Sequence, residues 1–157
     1  SKFTEAEIAK ISQVSDLSKS VERVAPGWKV VNCGTAMEPG LRDDWQGRKN
    51  VLVTHPMSQE VPCTLSRKVD LPASGKPVLY LEVAHDPRGD WVLAVKVDGT
   101  QVCEQLIGKQ TAADVWRAVD VDLSSFAGKS VKLELENRAN GGRYEAAYWA
   151  SITVRTE

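Results

Sequence analysis

The sequence is poor in the residues that build most recognisable chemistry. Two histidines and three cysteines are spread over 157 residues, and the cysteines, Cys33, Cys63 and Cys103, stand far apart with no C-x-x-C pair. That spacing excludes a zinc ribbon and a dithiol redox motif. Three free thiols buried as small hydrophobes are the favoured reading, against one bridge plus one reactive thiol. No G-x-S-x-G, H-E-x-x-H or phosphate-loop pattern occurs, which removes the best-marked hydrolase and nucleotide-binding mechanisms. Charge of one sign is also lacking. Twenty Lys and Arg balance 21 Asp and Glu, so nothing marks the chain as a phosphate-backbone binder and nucleic acid is not an expected partner. No apolar run reaches the roughly 20 residues needed to span a bilayer, and no basic-then-apolar leader opens the chain, which is therefore expected to be a mature or excised piece.

What is present is alternation. Val119, Val121 and Leu123 alternate with Asp120 and Asp122, and Val131, Leu133 and Leu135 alternate with Lys132, Glu134 and Glu136. Both runs read as half-buried antiparallel strands. The connection Ser124–Lys129 is too short for a crossover helix, so the strands belong to opposed sheets or a wide hairpin. Further strands are expected at Trp28–Cys33, from Val51 to His55-Pro56, at Cys63–Leu71, Val78–Ala84, Trp91–Val97 and Gln101–Ile107, with Asp98-Gly99 as a hairpin turn. Residues 34–50 and 108–114 read as polar loops. Thr4-Glu5-Ala6-Glu7 has the spacing of a capping box, and Ile8, Ile11, Val14 and Leu17 form a helical stripe that the serines weaken beyond Gln13. Residues 1–26 are thus a helix or linker and 27–157 an all-β antiparallel sandwich of jelly-roll type.

Two segments carry a resemblance. Asp122–Lys129, D-L-S-x-x-A-G-K, and Ala147–Ile152, A-x-W-A-x-I, resemble the C-terminal half of galactose-binding-like jelly-roll modules. These include many carbohydrate-binding modules of bacterial glycoside hydrolases and other secreted proteins. The resemblance implies a ligand site among end loops, here 34–50, 85–90 and 139–145, and an extracellular or periplasmic location. It also implies a structural calcium, for which Asp43, Asp44, Asn137 and Glu145 offer oxygens; no other cofactor is expected.

Sugars are held by an aromatic platform with a few polar groups around it. Five tryptophans are many for this length. Trp45, Trp149 and, less clearly, Trp28 fall at loop edges or off the core parity, whereas Trp91 and Trp116 read as packing. Trp149, placed opposite Tyr148, Ala150, Ile152 and Val154, is expected to form a contact surface. In the loop His85–Trp91, Arg88 offers a fork of donors, Asp86 and Asp90 accept, and His85 can do either; an equally weighted reading has the acids merely fixing the turn. Arg88-Gly89-Asp90 also spells a short adhesion tripeptide. Arg143, Tyr144 and Glu145 complete the candidates, with His55 at another strand end. The expected function is non-catalytic glycan binding. The alternatives are a module docking a neighbouring domain through Trp149 and the N-terminal helix, and a hydrolase built on His55, His85 and Asp90.

Overall fold

Residues 2–111 and 114–157 are described by the structure, a computed structural model; the expected loop at 108–114 lies partly outside them. Helix α1 (Glu5–Val24) is followed by β1 (Lys29–Val31), β2 (Gly40–Trp45), β3 (Arg48–Thr54), β4 (Cys63–Asp70) and β5 (Pro77–His85). Then come β6 (Trp91–Val97), β7 (Thr100–Ile107), β8 (Trp116–Asp122), a 3-10 turn at Ser124–Phe126, β9 (Ser130–Arg138) and β10 (Ala147–Thr156). The strands form two five-stranded sheets of order β1-β4-β9-β6-β7 and β2-β3-β10-β5-β8. All their pairings are antiparallel. From β3 onward every step but the β6–β7 hairpin passes between the sheets, including that from β8 to β9, which is the jelly-roll course.

The alternating residues make the core between the sheets. Leu79, Leu81 and Val83 of β5, with Val119 and Val121 of β8 beside them in the same sheet, face Leu93 and Val95 of β6 and Leu133 and Leu135 of β9, all buried. Each such side chain contributes about 1.5–3 kcal/mol on leaving water. Thr4 caps α1, its Oγ1 accepting from the Glu7 amide at 3.1 Å. The helix runs to Val24, well past Gln13, because Leu17, Val21 and Val24 pack on the sandwich and override the weak propensity of the serines.

Several sequence expectations fail here. The loop expected over 34–50 contains β2 and the start of β3, joined by a tight hairpin with Gln46 at φ 46° and Gly47 at φ 80°. Trp28 is buried instead of standing at a loop edge. Trp149 is 0% exposed. The pairing of β10 with β5 slips between Trp149 and Ser151, a β-bulge, so that Ala147 and Trp149 face the core before it and Ile152 after it. Of the three free cysteines only Cys63 is buried; Cys33 and Cys103 are half-buried.

Candidate functional site

The outer face of the second sheet, turned away from the main core, carries its own apolar cluster. Val51, Val53, Ala84, Ala146 and Tyr148 are buried there, with Met37, Trp45, Val115 and Trp116 packed around them. Trp45, at the tip of the β2–β3 hairpin, stacks on Tyr148 with ring centroids 3.7 Å apart and planes 10° from parallel. Trp116 meets Trp45 edge-on at 5.6 Å, and its indole donates to the Gln46 carbonyl at 3.0 Å. The Arg48 guanidinium lies over Trp116, 5.3 Å from its centroid, and pairs with Glu82. Burial drives the Glu82 carboxyl upward, but the Tyr80 hydroxyl and Arg48 outweigh it and hold it below its ordinary value. Two half-exposed tryptophans are therefore fixed from beneath.

The turn after β5 adjoins this cluster. Asp86 accepts from the Arg88 amide at 2.8 Å and from its guanidinium at 2.9 and 3.0 Å, a bidentate pair. Arg88 holds the Asp86 carboxyl below the usual carboxylate range. The Tyr148 hydroxyl reaches Asp86 Oδ2 at 3.5 Å, and burial pushes its pKa up to about 12. Arg88, 61% exposed, lies 4.0 Å above the Tyr144 ring. Its pair with Asp86 uses two of the five guanidinium donors, leaving three toward solvent. Tyr144, Arg88, Asp86, Tyr148, Trp45 and Trp116 thus form one continuous chain of contacts, with Asp86 and Tyr148 buried beneath the other four.

The loop before β10 is held by a buried relay. The Trp149 indole donates to Thr54 Oγ1 at 3.0 Å, the Thr54 hydroxyl to Asn137 Oδ1 at 2.9 Å, and Asn137 Nδ2 to the Glu145 carbonyl at 3.2 Å. The Glu145 carboxylate accepts from the amides of Asn140 at 2.5 Å and Gly142 at 3.0 Å, and from Gln59 at 2.9 Å. Gly89 fits against this loop so closely that a Cβ would stand 2.3 Å from the Tyr144 carbonyl oxygen.

Of the residues singled out from sequence, Trp45, Asp86, Arg88 and Tyr144 come together. Trp149 and Glu145 do not join them; both are buried and serve the relay. Arg143 is exposed, and its carbonyl packs at Gly89. Asp90 packs against Gly108 and, with Arg88, lines a concavity of about 290 Å³ on the far side of the turn. Each histidine turns Nδ1 to backbone carbonyls of its own turn. His85 is buried with Nδ1 on the carbonyls of Asp86 and Gly89 at 2.8 and 3.1 Å, and His55 turns Nδ1 to Pro56 O at 2.8 Å. β10 runs between their strands, since Ala147 pairs with both His85 and Thr54, a spacing of roughly 10 Å.

The oxygens considered for calcium do not converge. Asp44 pairs with Lys49 at 2.6 Å, Asn137 and Glu145 are spent in the relay, and no group of three or more His, Cys, Asp or Glu side chains suited to a metal occurs among the described residues. Tyr148, Trp116 and Arg48 escaped the sequence reading. Trp116 had a signal, since it shares the parity of Asp120 and Asp122, the solvent side of β8; Tyr148 had none, because the bulge reverses the parity on which it was judged.

No family model and no curated protein sequence matches the chain. Its fold is that of solved carbohydrate-binding modules and adhesin domains. The xylan-binding CBM22-1 domain from Paenibacillus barcinonensis is similar over 85% of this chain and 87% of its own, with TM-score 0.57 and 15% identity. The K3 cleaved adhesin domain of Lys-gingipain from Porphyromonas gingivalis W83 covers 87% and 96%, with TM-score 0.58 and 12% identity. A family 35 carbohydrate-binding module from Clostridium thermocellum covers 83% and 92%, with TM-score 0.52 and 15% identity. At these identities the likeness concerns the jelly-roll sandwich.

Proposed function

We propose that the protein is a non-catalytic carbohydrate-binding module of a secreted protein, and that its ligand surface is the strip from Trp116 and Trp45 to Arg88 and Tyr144. The observation that carries this reading is the stacking of half-exposed Trp45 on buried Tyr148, beside an arginine with spare donors. A sugar ring offers an apolar C–H face to an indole and hydroxyls to a guanidinium, and a stack fixed in advance loses little entropy on binding. The charges of the strip are paired, Arg48 with Glu82 and Arg88 with Asp86, which favours an uncharged sugar. No helix among the described residues is long and apolar enough to cross a membrane.

The test is a glycan array followed by titration of whatever binds. Trp45→Ala is expected to weaken binding about tenfold, since an aromatic contact contributes about 0.5–1.5 kcal/mol beyond its area and tenfold is about 1.4 kcal/mol. Silence of the wild type across neutral and acidic glycans would count against the reading. A protein-docking module is the second reading. It is favoured by Ile8, Ile11 and Val14 of α1, which are 52%, 53% and 58% exposed on one stripe, and by a concavity of about 570 Å³ between the helix and β1. Trp149, buried, takes no part in it.

A further inference from the structure

The outer face of the other sheet is electrically divided. On its β6, β9 and β7 half the charges neutralise one another: Lys96 pairs with Glu136 at 3.0 Å, and Arg138 bridges Glu136 at 2.7 Å and Glu104 at 3.1 Å. The side formed by β1, β4 and the start of β9 is different. Lys29, Ser66, Arg67, Lys68 and Lys132, with the Gly27 backbone, line a concavity of about 430 Å³. None of its four cations enters a salt bridge among the described residues.

Register makes the crowding explicit. Lys68 and Lys132 are direct cross-strand partners and Lys29 is opposite Ser66, two residues along β4 from Lys68. Directly opposed like charges disfavour the sheet unless something neutralises them. The nearby carboxylates are engaged otherwise or lie outside the concavity. Asp98 accepts from the Lys132 amide at 2.8 Å, and Glu22 from the Gly27 amide at 3.0 Å. Glu134, opposite Ser66 and Lys96 in register, forms no salt bridge with the four. Gly27 (φ +85°) gives the guanidinium its room: a Cβ there would stand 3.2 Å from Arg67 Nε.

We propose that this cradle is a second binding site, taking a sulfate or phosphate ester borne on a sugar-sized scaffold. Three lysines on neighbouring strands, successive ones about 5–8 Å apart at the backbone and the outer two about 12 Å, carry ammonium groups on flexible stems that, with a planar fork at the edge, suit an oxyanion of two or more charges. The volume exceeds what a bare ion fills and falls in the range of small-molecule sites, about 300–1,000 Å³. The site lies on the face opposite the Trp45 strip and does not depend on it.

The experiment titrates the full chain with dextran sulfate, unsulfated dextran, a sugar phosphate, inorganic sulfate, inorganic phosphate and duplex DNA, at low and moderate salt. Dextran sulfate or the sugar phosphate is expected to bind, more weakly as salt rises, and unsulfated dextran not to compete with either for the cradle. The double variant Lys68→Ala, Lys132→Ala is expected to lose at least tenfold in affinity. A control with the same charge, Lys49→Ala, Lys109→Ala, is expected to lose less than twofold, and all three proteins to keep the wild-type Tm within a few degrees. Equal losses in both variants, no binding at low salt, bare ions binding as tightly as the esters, or DNA binding more tightly than dextran sulfate would each overturn the proposal. Trp45→Ala is expected to leave this binding unchanged, which separates its failure from that of the glycan strip.

Discussion

Asp86 is the residue on which the loop surface turns, because one carboxylate fixes the turn amide of Arg88, clamps its guanidinium and approaches the Tyr148 hydroxyl. Its pKa is depressed in the folded protein, chiefly by Arg88. Its stabilising share is therefore full above the unfolded value of about 3.9 and lost as pH falls through the lower folded value. Asp86→Asn is expected to lower Tm at pH 7, and the gap from the wild type to close below about pH 4. A gap that stays constant from pH 7 to pH 3 would place the effect in packing and not in charge. The thiols show a second local coupling: each acts on the other, which pulls the Cys33 thiol below its ordinary value and, together with burial, pushes the Cys63 thiol above it. Sequence spacing gave no sign of this pair, because the thiols meet through the pairing of residues near 33 with β4 and the 55–56 segment.

At the scale of elements, the surface is made by two loops that lock together. Gly89→Ala would drive a Cβ onto the carbonyl oxygens of Tyr144 and Arg143, at 2.3 and 2.4 Å. It is expected to lower Tm and to separate Arg88 from Tyr144, weakening any glycan affinity that Arg88→Ala also weakens. Gly142→Ala, where a Cβ meets nothing within 4 Å, is the neutral control. Calorimetry and titration of the two variants check both effects. The elements also show what strand patterning can and cannot reveal. Alternation in β8 and β9 was legible because each has a core face opposite a charged one, and in β6 because large apolar residues alternate with Ala94 and Lys96. Trp149 was misplaced because a bulge inserts a residue, and period-two counting cannot register an insertion. The β2–β3 hairpin was read as loop because Asp43, Asp44 and Gln46-Gly47 look like turn chemistry, while its partner strand lies far away in sequence in β10. Half of the loop site was visible as polar residues beside strand ends; its aromatic floor was not, since Tyr148 meets Trp45 only through tertiary pairing.

At the scale of the molecule, two sheets set back to back give two independent outer faces. One carries aromatics and paired charges, the other a cluster of cations outside any salt bridge among the described residues, and the two share one core. That separation lets the five indole N–H groups report independently. Trp28, Trp91 and Trp149 are buried, whereas Trp45 and Trp116 are partly exposed on the outer strip. The most direct measurement is a proton–nitrogen NMR titration with the best glycan from the array, following those indole signals. The Trp45 and Trp116 resonances are expected to move with a common dissociation constant while the other three stay in place. Binding that leaves Trp45 and Trp116 unmoved would contradict the account.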